Sequence, residues 1–188
     1  ESVESTKKVL GQQVHKTIIG DREADIYEEL ALVPDSSTDL LIRSSSDRKL
    51  YGSDKRLVET IAETPVSVEY DLKIENNRKR KSRIAKMELR YREVKIKRPD
   101  AKVYSHLPEY IELTVIETKE KRETCPSNET PVCWRLYTTH EIGNAKDAMQ
   151  CIGWYKDRWI IEELFRVLKT EGLKVESAQL GTGDALKK

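Results

Sequence analysis

The chain has 188 residues, with 34 Lys+Arg against 33 Asp+Glu, so a 36% charged composition leaves a net charge of only +1. Its 37% hydrophobic share lies below the usual globular value, and no apolar run approaches the roughly 18 residues of a membrane span. With 8 Gly and 6 Pro it is not collagenous, and +1 does not support a uniformly basic nucleic-acid binder, although segregated patches can hide inside that sum.

In chain order, Val14 to Ile19 is a short apolar run that ends at Gly20-Asp21. It predicts a buried strand with an acid at its C-terminal tip. Ala24 to Val33 predicts a helix from the spacing of Ile26, Tyr27, Leu30 and Val33, stopped by Pro34. Asp39 to Arg43 gives a second strand with Arg43 just past its apolar part, and Leu57 to Ile61 a short helix. Strand, acid, helix, strand is an α/β pattern.

The middle of the chain differs. Val66, Val68, Tyr70, Leu72 and Ile74 alternate with polar residues, as a half-buried strand requires. A polar stretch containing Arg78, Lys79, Arg80 and Lys81 leads to a second alternating run, Ala85, Met87, Leu89 and Tyr91. The apolar register then shifts to Val94 and Ile96, which predicts a β-bulge. Ile111 to Ile116 and Val132 to Tyr137 complete a mostly antiparallel segment. Residues Lys73 to Lys102 carry 13 Lys/Arg and 4 Asp/Glu, a local balance of +9. That excess suits a ribbon resting on phosphates, and equally an edge whose lysines guard against aggregation.

Asn144 to Lys169 predicts a helix with Ile160, Ile161, Leu164, Phe165 and Leu168 as its buried face. Tyr155, Arg158, Glu162 and Lys169 fall beside that stripe in a sector roughly 60° wide. One helix therefore presents a carboxylate between two cations and a phenol, a set that can hold phosphate and, through the acid, a divalent ion. The same spacing also suits an ordinary salt-bridge ladder. Three cysteines without a C-x-x-C pair and three scattered histidines argue against a disulfide framework or a zinc site, and suit a reducing cytoplasm.

The spacing Tyr155-x2-Arg158-x3-Glu162-x6-Lys169 resembles the Tyr-Arg-Glu-Lys signature of bacterial cut-and-paste DDE transposases of the insertion-sequence-four type. Gly20-Asp21-Arg22-Glu23-Ala24-Asp25-Ile26 resembles the segment around that family's second catalytic Asp, and Leu41-Ile42-Arg43-Ser44 the strand that follows. Glu129-Thr130-Pro131 with Trp134 resembles the strand closing the family's β insertion. The matches occur in the family's order and span most of the chain.

The resemblance implies a ribonuclease-H-like core in residues 1–65, a large antiparallel β insertion in 66–138, and a catalytic helix region in 139–188. It implies Asp21 and Glu162 as two acids of the DDE triad holding Mg²⁺ or Mn²⁺, with Tyr155, Arg158, Lys169 and Arg43 on phosphates. Trp134 and Trp159 would stack on or wedge a flipped base while the transposon end passes through a hairpin. Trp154 matches nothing in the family and is expected in the core, and Asp25 is expected to be a helix cap or a support rather than a third ligand. The implied partners are double-stranded DNA and, for the full enzyme, a second copy in a homodimer in the bacterial cytoplasm. The family's first Asp has no counterpart, since only Glu1 and Glu4 are acidic before Asp21. The expectation is therefore an inactive fragment of a larger transposase, with a non-catalytic DNA-binding remnant as the alternative.

Overall fold

A computed structural model of the chain describes residues 2–76 and 81–168, the side chains of Ser2 and Glu162 excepted. The chain divides into two compact units, Glu1–Cys151 and Ile152–Lys188. The first unit is α/β, built on a mixed six-stranded sheet. Its strands are β1 (Lys16–Gly20), β2 (Thr38–Arg43), β3 (Val68–Ile74), β4 (Arg83–Lys97), β5 (Tyr110–Glu120) and β6 (Cys133–Thr138). They lie in the order β1-β2-β6-β5-β4-β3. β1 and β2 are parallel, and every other pair is antiparallel.

The local chemistry explains these elements. Thr17, Ile18 and Ile19 are β-branched and favour an extended chain. A parallel neighbour requires a crossover, which is supplied by a 3₁₀ turn at Arg22–Ala24 and the short helix α2 (Tyr27–Leu32). The sequence predicts one continuous helix from Ala24 to Val33. The chain instead breaks at Asp25 and Ile26, because the Asp25 backbone and carboxylate are both engaged by Arg48. The helix α3 (Leu57–Ala62) buries Leu57 and Ile61 at the predicted place. An N-terminal helix, α1 (Ser2–Leu10), has no counterpart among the predicted elements. Its Lys7 ammonium donates to the Val33 carbonyl and lies 2.8 Å from the Asp35 carboxylate.

The strands of 66–138 are not appended to the α/β start but continuous with it. β6 pairs with β2 on one side and β5 on the other, so the last strand of the segment seals it into the same sheet. The predicted bulge is absent: β4 pairs with β5 one residue to one from Met87↔Glu120 to Lys97↔Tyr110. The apolar shift has another cause. Ala85 and Met87 point to one face, where they pack with Leu72, Ile74 and Val132 and border Tyr70 and Trp134. Val94 and Ile96 point to the other, into a core with Leu40, Ile42, Leu57, Val115 and Tyr137. A straight strand thus feeds two cores on opposite faces.

The last helix, α4 (Ala145–Val167), begins in the first unit. Asn144 caps it through Oδ1, which accepts from the Lys146 and Asp147 backbone N–H groups, and Ala148 and Cys151 are buried. Burial pushes the Cys151 thiol up to about 11, against a hydrogen bond from Thr138. In the second unit, Ile152 and Tyr155 are buried and Trp154 is half-buried. The stripe predicted to be buried is exposed: Ile160 is 65%, Ile161 57%, Leu164 54%, Phe165 57% and Leu168 36% accessible. Helical spacing identifies an apolar face, but it carries no information about whether anything covers that face. No helix among the described residues is long and apolar enough to cross a membrane.

Candidate functional site

The parallel pairing of β1 and β2 sets the geometry of the first unit's candidate residues. Gly20 lies opposite Ile42, so Asp21 and Arg43 stand side by side at the carboxyl ends of adjacent parallel strands. In α/β sheets this is the end where ligands bind. β6 runs the other way and pairs Leu136 with Arg43, so its first residues, Cys133 and Trp134, arrive at that same end. The Arg43 guanidinium donates to the Cys133 carbonyl at 3.4 Å. Asp21, Arg43 and Trp134, separated by up to 113 positions in the chain, therefore share one end of the sheet.

The two aspartates of this segment have opposite environments. Asp21 is exposed and caps the 3₁₀ turn, its Oδ1 accepting from the Glu23 backbone N–H at 3.0 Å. Asp25 has no exposed side-chain surface. Its Oδ2 accepts from the Ser45 backbone N–H at 2.7 Å and the Ser45 hydroxyl at 2.9 Å. Its Oδ1 accepts from the Arg48 Nε at 2.9 Å and Nη2 at 2.5 Å. A carboxylate so saturated braces the turn after β1 against the loop after β2. Asp21 remains as an exposed hard oxygen donor at the strand ends. Gly20 makes this arrangement possible, because a Cβ there would stand 2.6 Å from the Ala24 Cβ and 2.8 Å from the Ile42 Cδ1.

Trp134 sits in the row of Thr118 and Leu89 and packs at the margin of the smaller core, half-buried. Within the second unit, the Arg158 guanidinium stacks over Tyr155 at 5.4 Å and over Trp159 at 5.7 Å from the ring centroids, both within cation–π range. Tyr155 is 1% exposed and Trp159 57%, so the indole, rather than the phenol, is presented at the surface. Asp21 belongs to the first compact unit and Glu162 to the second. The Glu162 side chain, Lys169, Arg78, Lys79 and Arg80 lie outside the described residues.

The +9 ribbon is less uniformly basic than its count suggests. Arg83 is clamped on Glu120 at 3.0 and 3.1 Å and on Glu129 at 2.8 Å, and its guanidinium is held further toward the charged form by the Glu120 hydrogen bonds. Arg90 binds Glu88 and the Thr64 carbonyl, Lys95 binds Glu112, Lys73 binds Glu75, and Lys97 lies 3.5 Å from Asp100. Arg98 donates to the Ser105 and Leu107 carbonyls. Lys81, Lys86 and Arg92 are exposed on the same ribbon.

At the opposite end of β1, β2 and β6 lies a group that the sequence does not reveal. His15 precedes β1, Asp39 is the second residue of β2, and His140 follows β6. Asp39 Oδ2 is 2.7 Å from His15 Nε2 and 3.2 Å from His140 Nδ1. Burial holds His140 below the ordinary histidine range, against the charge of Asp39. Three residues scattered over 126 positions meet because two sheet pairings join them, and no spacing rule could have found them. No protein-family model matches the chain.

Proposed function

We propose that this chain is the catalytic-core part of a DDE-type DNA transposase, whose full enzyme cuts and joins transposon-end DNA through a hairpin intermediate. The finer fold assignment, a ribonuclease-H-like core carrying a β insertion, belongs to the same proposal. The observation that carries the reading is the Tyr155-Arg158-Glu162-Lys169 spacing together with the ordered match around Asp21. Two features of the structure support it. Asp21 is exposed at the carboxyl ends of parallel strands, next to Arg43 and at the same end of the sheet as Trp134, while its neighbour Asp25 is fully engaged in bracing. Arg158 is held between two aromatic rings with one of them at the surface.

Within this reading Asp21 and Glu162 would hold Mg²⁺ or Mn²⁺, hard ions that take carboxylate oxygens as ligands. When bound, such ions activate the attacking oxygen and stabilise the leaving one in an in-line displacement. Arg158 and Arg43 neutralise phosphates near the cut, and a guanidinium can grip one phosphate through two parallel hydrogen bonds. Trp159 replaces the stacking lost by a flipped base, worth about 1–3 kcal/mol. The chain holds two of the three acids the resemblance requires, so this polypeptide by itself binds DNA without cutting it.

The test is fluorescence anisotropy of this chain with a mixed-sequence DNA duplex ending in a 3′-hydroxyl. Binding should weaken as salt rises, and Arg158→Gln, Arg43→Gln and Trp159→Ala should each reduce affinity by about 5- to 100-fold, corresponding to roughly 1–3 kcal/mol. Asp21→Asn should leave it unreduced. Binding indifferent to all three substitutions sinks the proposal, and Mn²⁺-dependent nicking by this polypeptide sinks the claim of inactivity.

A further inference from the structure

We infer that His15, Asp39 and His140 form a three-ligand site for a divalent transition ion of the zinc class, on the end of the sheet opposite Asp21. The site is independent of the transposase reading. Asp39 and Arg43 are four residues apart on β2, or about 13 Å along an extended strand, and none of the three residues takes part in the DNA contacts proposed above.

Three observations carry the inference. The donor atoms already converge: one ligand atom from each of His15, Asp39 and His140 lies within 4.8 Å of the other two. A tetrahedral ion with bonds of about 2.0–2.2 Å separates its donors by roughly 3.3 Å. The His140 Nδ1 to Asp39 Oδ2 distance is 3.2 Å, close to that value. His15 sits nearer, at 2.7 Å, and has only to withdraw by roughly half an ångström. Its side chain is 56% exposed and has room on the solvent side, whereas Asp39 and His140 are 19% and 17% exposed and form the fixed half of the site.

The outer contacts are those of a ligand set. His140 uses its other ring nitrogen, Nε2, to meet the Thr17 hydroxyl at 2.9 Å, which fixes the ring with Nδ1 toward Asp39. The second oxygen of Asp39, Oδ1, accepts from the Thr139 hydroxyl at 2.7 Å, so the carboxylate cannot swing away. Metal-binding histidines and carboxylates are oriented in this way by partners on their distal atoms. Thr17 lies opposite Asp39 in the β1–β2 register, so the same pairing that builds the sheet builds the support.

Two imidazoles and one carboxylate favour zinc, cobalt, nickel or copper over magnesium or calcium, which prefer all-oxygen sets. Three protein ligands leave a fourth position for solvent. A bound ion would tie the chain ahead of β1 to β2 and to the residue leaving β6.

The experiment is a Zn²⁺ titration of the 188-residue chain by calorimetry, repeated with Co²⁺ and read from its visible ligand-field bands. One ion should bind per chain. His15→Gln removes an exposed ligand, so the metal-free variant should melt with the wild type while its affinity falls by more than about 100-fold. Thr17→Val, which touches no metal, should weaken binding by about 10- to 100-fold. His106→Gln should leave it unchanged. Zn²⁺ should raise the melting temperature of the wild type and not of His15→Gln. Absence of saturable binding, or binding that survives His15→Gln unaltered, overturns the assignment and reduces the group to a hydrogen-bonded Asp–His cluster.

Discussion

Asp21 and Asp25 stand one helical turn apart in the sequence, and the same substitution at each should have opposite consequences. Asp25→Asn keeps the shape of the side chain but removes its charge and puts an amide donor among three donor groups: the Ser45 N–H, the Ser45 hydroxyl and the Arg48 guanidinium. Arg48 is only 13% exposed, so its charge would remain buried without its counter-ion. Removing one partner of a buried ion pair costs about 3–5 kcal/mol. With a urea m-value of about 1–3 kcal/mol/M, the unfolding midpoint should fall by about 1–5 M. Asp21→Asn retains a capping oxygen for the Glu23 N–H at an exposed position, and its stability should shift by no more than about 0.5 kcal/mol. Circular dichroism during urea unfolding reads both. Equal midpoints for the two variants would refute the division of labour between brace and site. A stability for Asp25→Asn within about 1 kcal/mol of wild type would refute the buried-pair reasoning.

Other outcomes follow from neighbouring residues. Burial pushes the Tyr137 phenol up to about 12, so the folded chain keeps a proton that the unfolded chain releases near 10. The resulting stability is whole below about pH 10 and is lost as pH rises toward 12, by about 2–3 kcal/mol, and urea midpoints for Tyr137→Phe should be flatter over that range. Gly20→Ala forces contacts of 2.6 and 2.8 Å and should cost about 1–3 kcal/mol in thermal melts. By contrast, Gly153→Ala meets no atom within 4 Å in mid-helix and should stabilise by about 0.5–1 kcal/mol. Replacing Arg78, Lys79, Arg80 and Lys81 by Gln should lower the salt slope of duplex binding by up to about 4, and an unchanged slope removes those four residues from the interface.

Local chemistry made much of this fold legible. The alternation from Val68 to Ile74 and the apolar runs at Ile18 and Leu41 announce strands because each side chain's face is fixed by position parity. Pro34 and Asn144 mark helix boundaries for equally local reasons. What escaped the sequence was everything decided by partners distant along the chain. The insertion of β6 between β2 and β5 brings Trp134 to the same end of the sheet as Arg43 and sets His140 against Asp39, and no residue near either announces it. The shift at Tyr91 has the pattern of a bulge because a change of covered face and a change of register leave the same trace in apolar periodicity. The uncovered stripe from Ile160 to Leu168 is the same kind of case, since amphipathicity describes one surface and burial requires two.

The two-faced course of β4 bears on folding fidelity. Its 15 residues pair with β3 along one edge and β5 along the other, and its odd and even positions supply different cores. A slip of one residue would turn Met87 and Ala85 out of the small core and Val94 and Ile96 out of the large one at the same moment. Neither core can be satisfied in a mistaken alignment that spoils the other. The long central strand therefore acts as a proofreading ruler for the whole sheet.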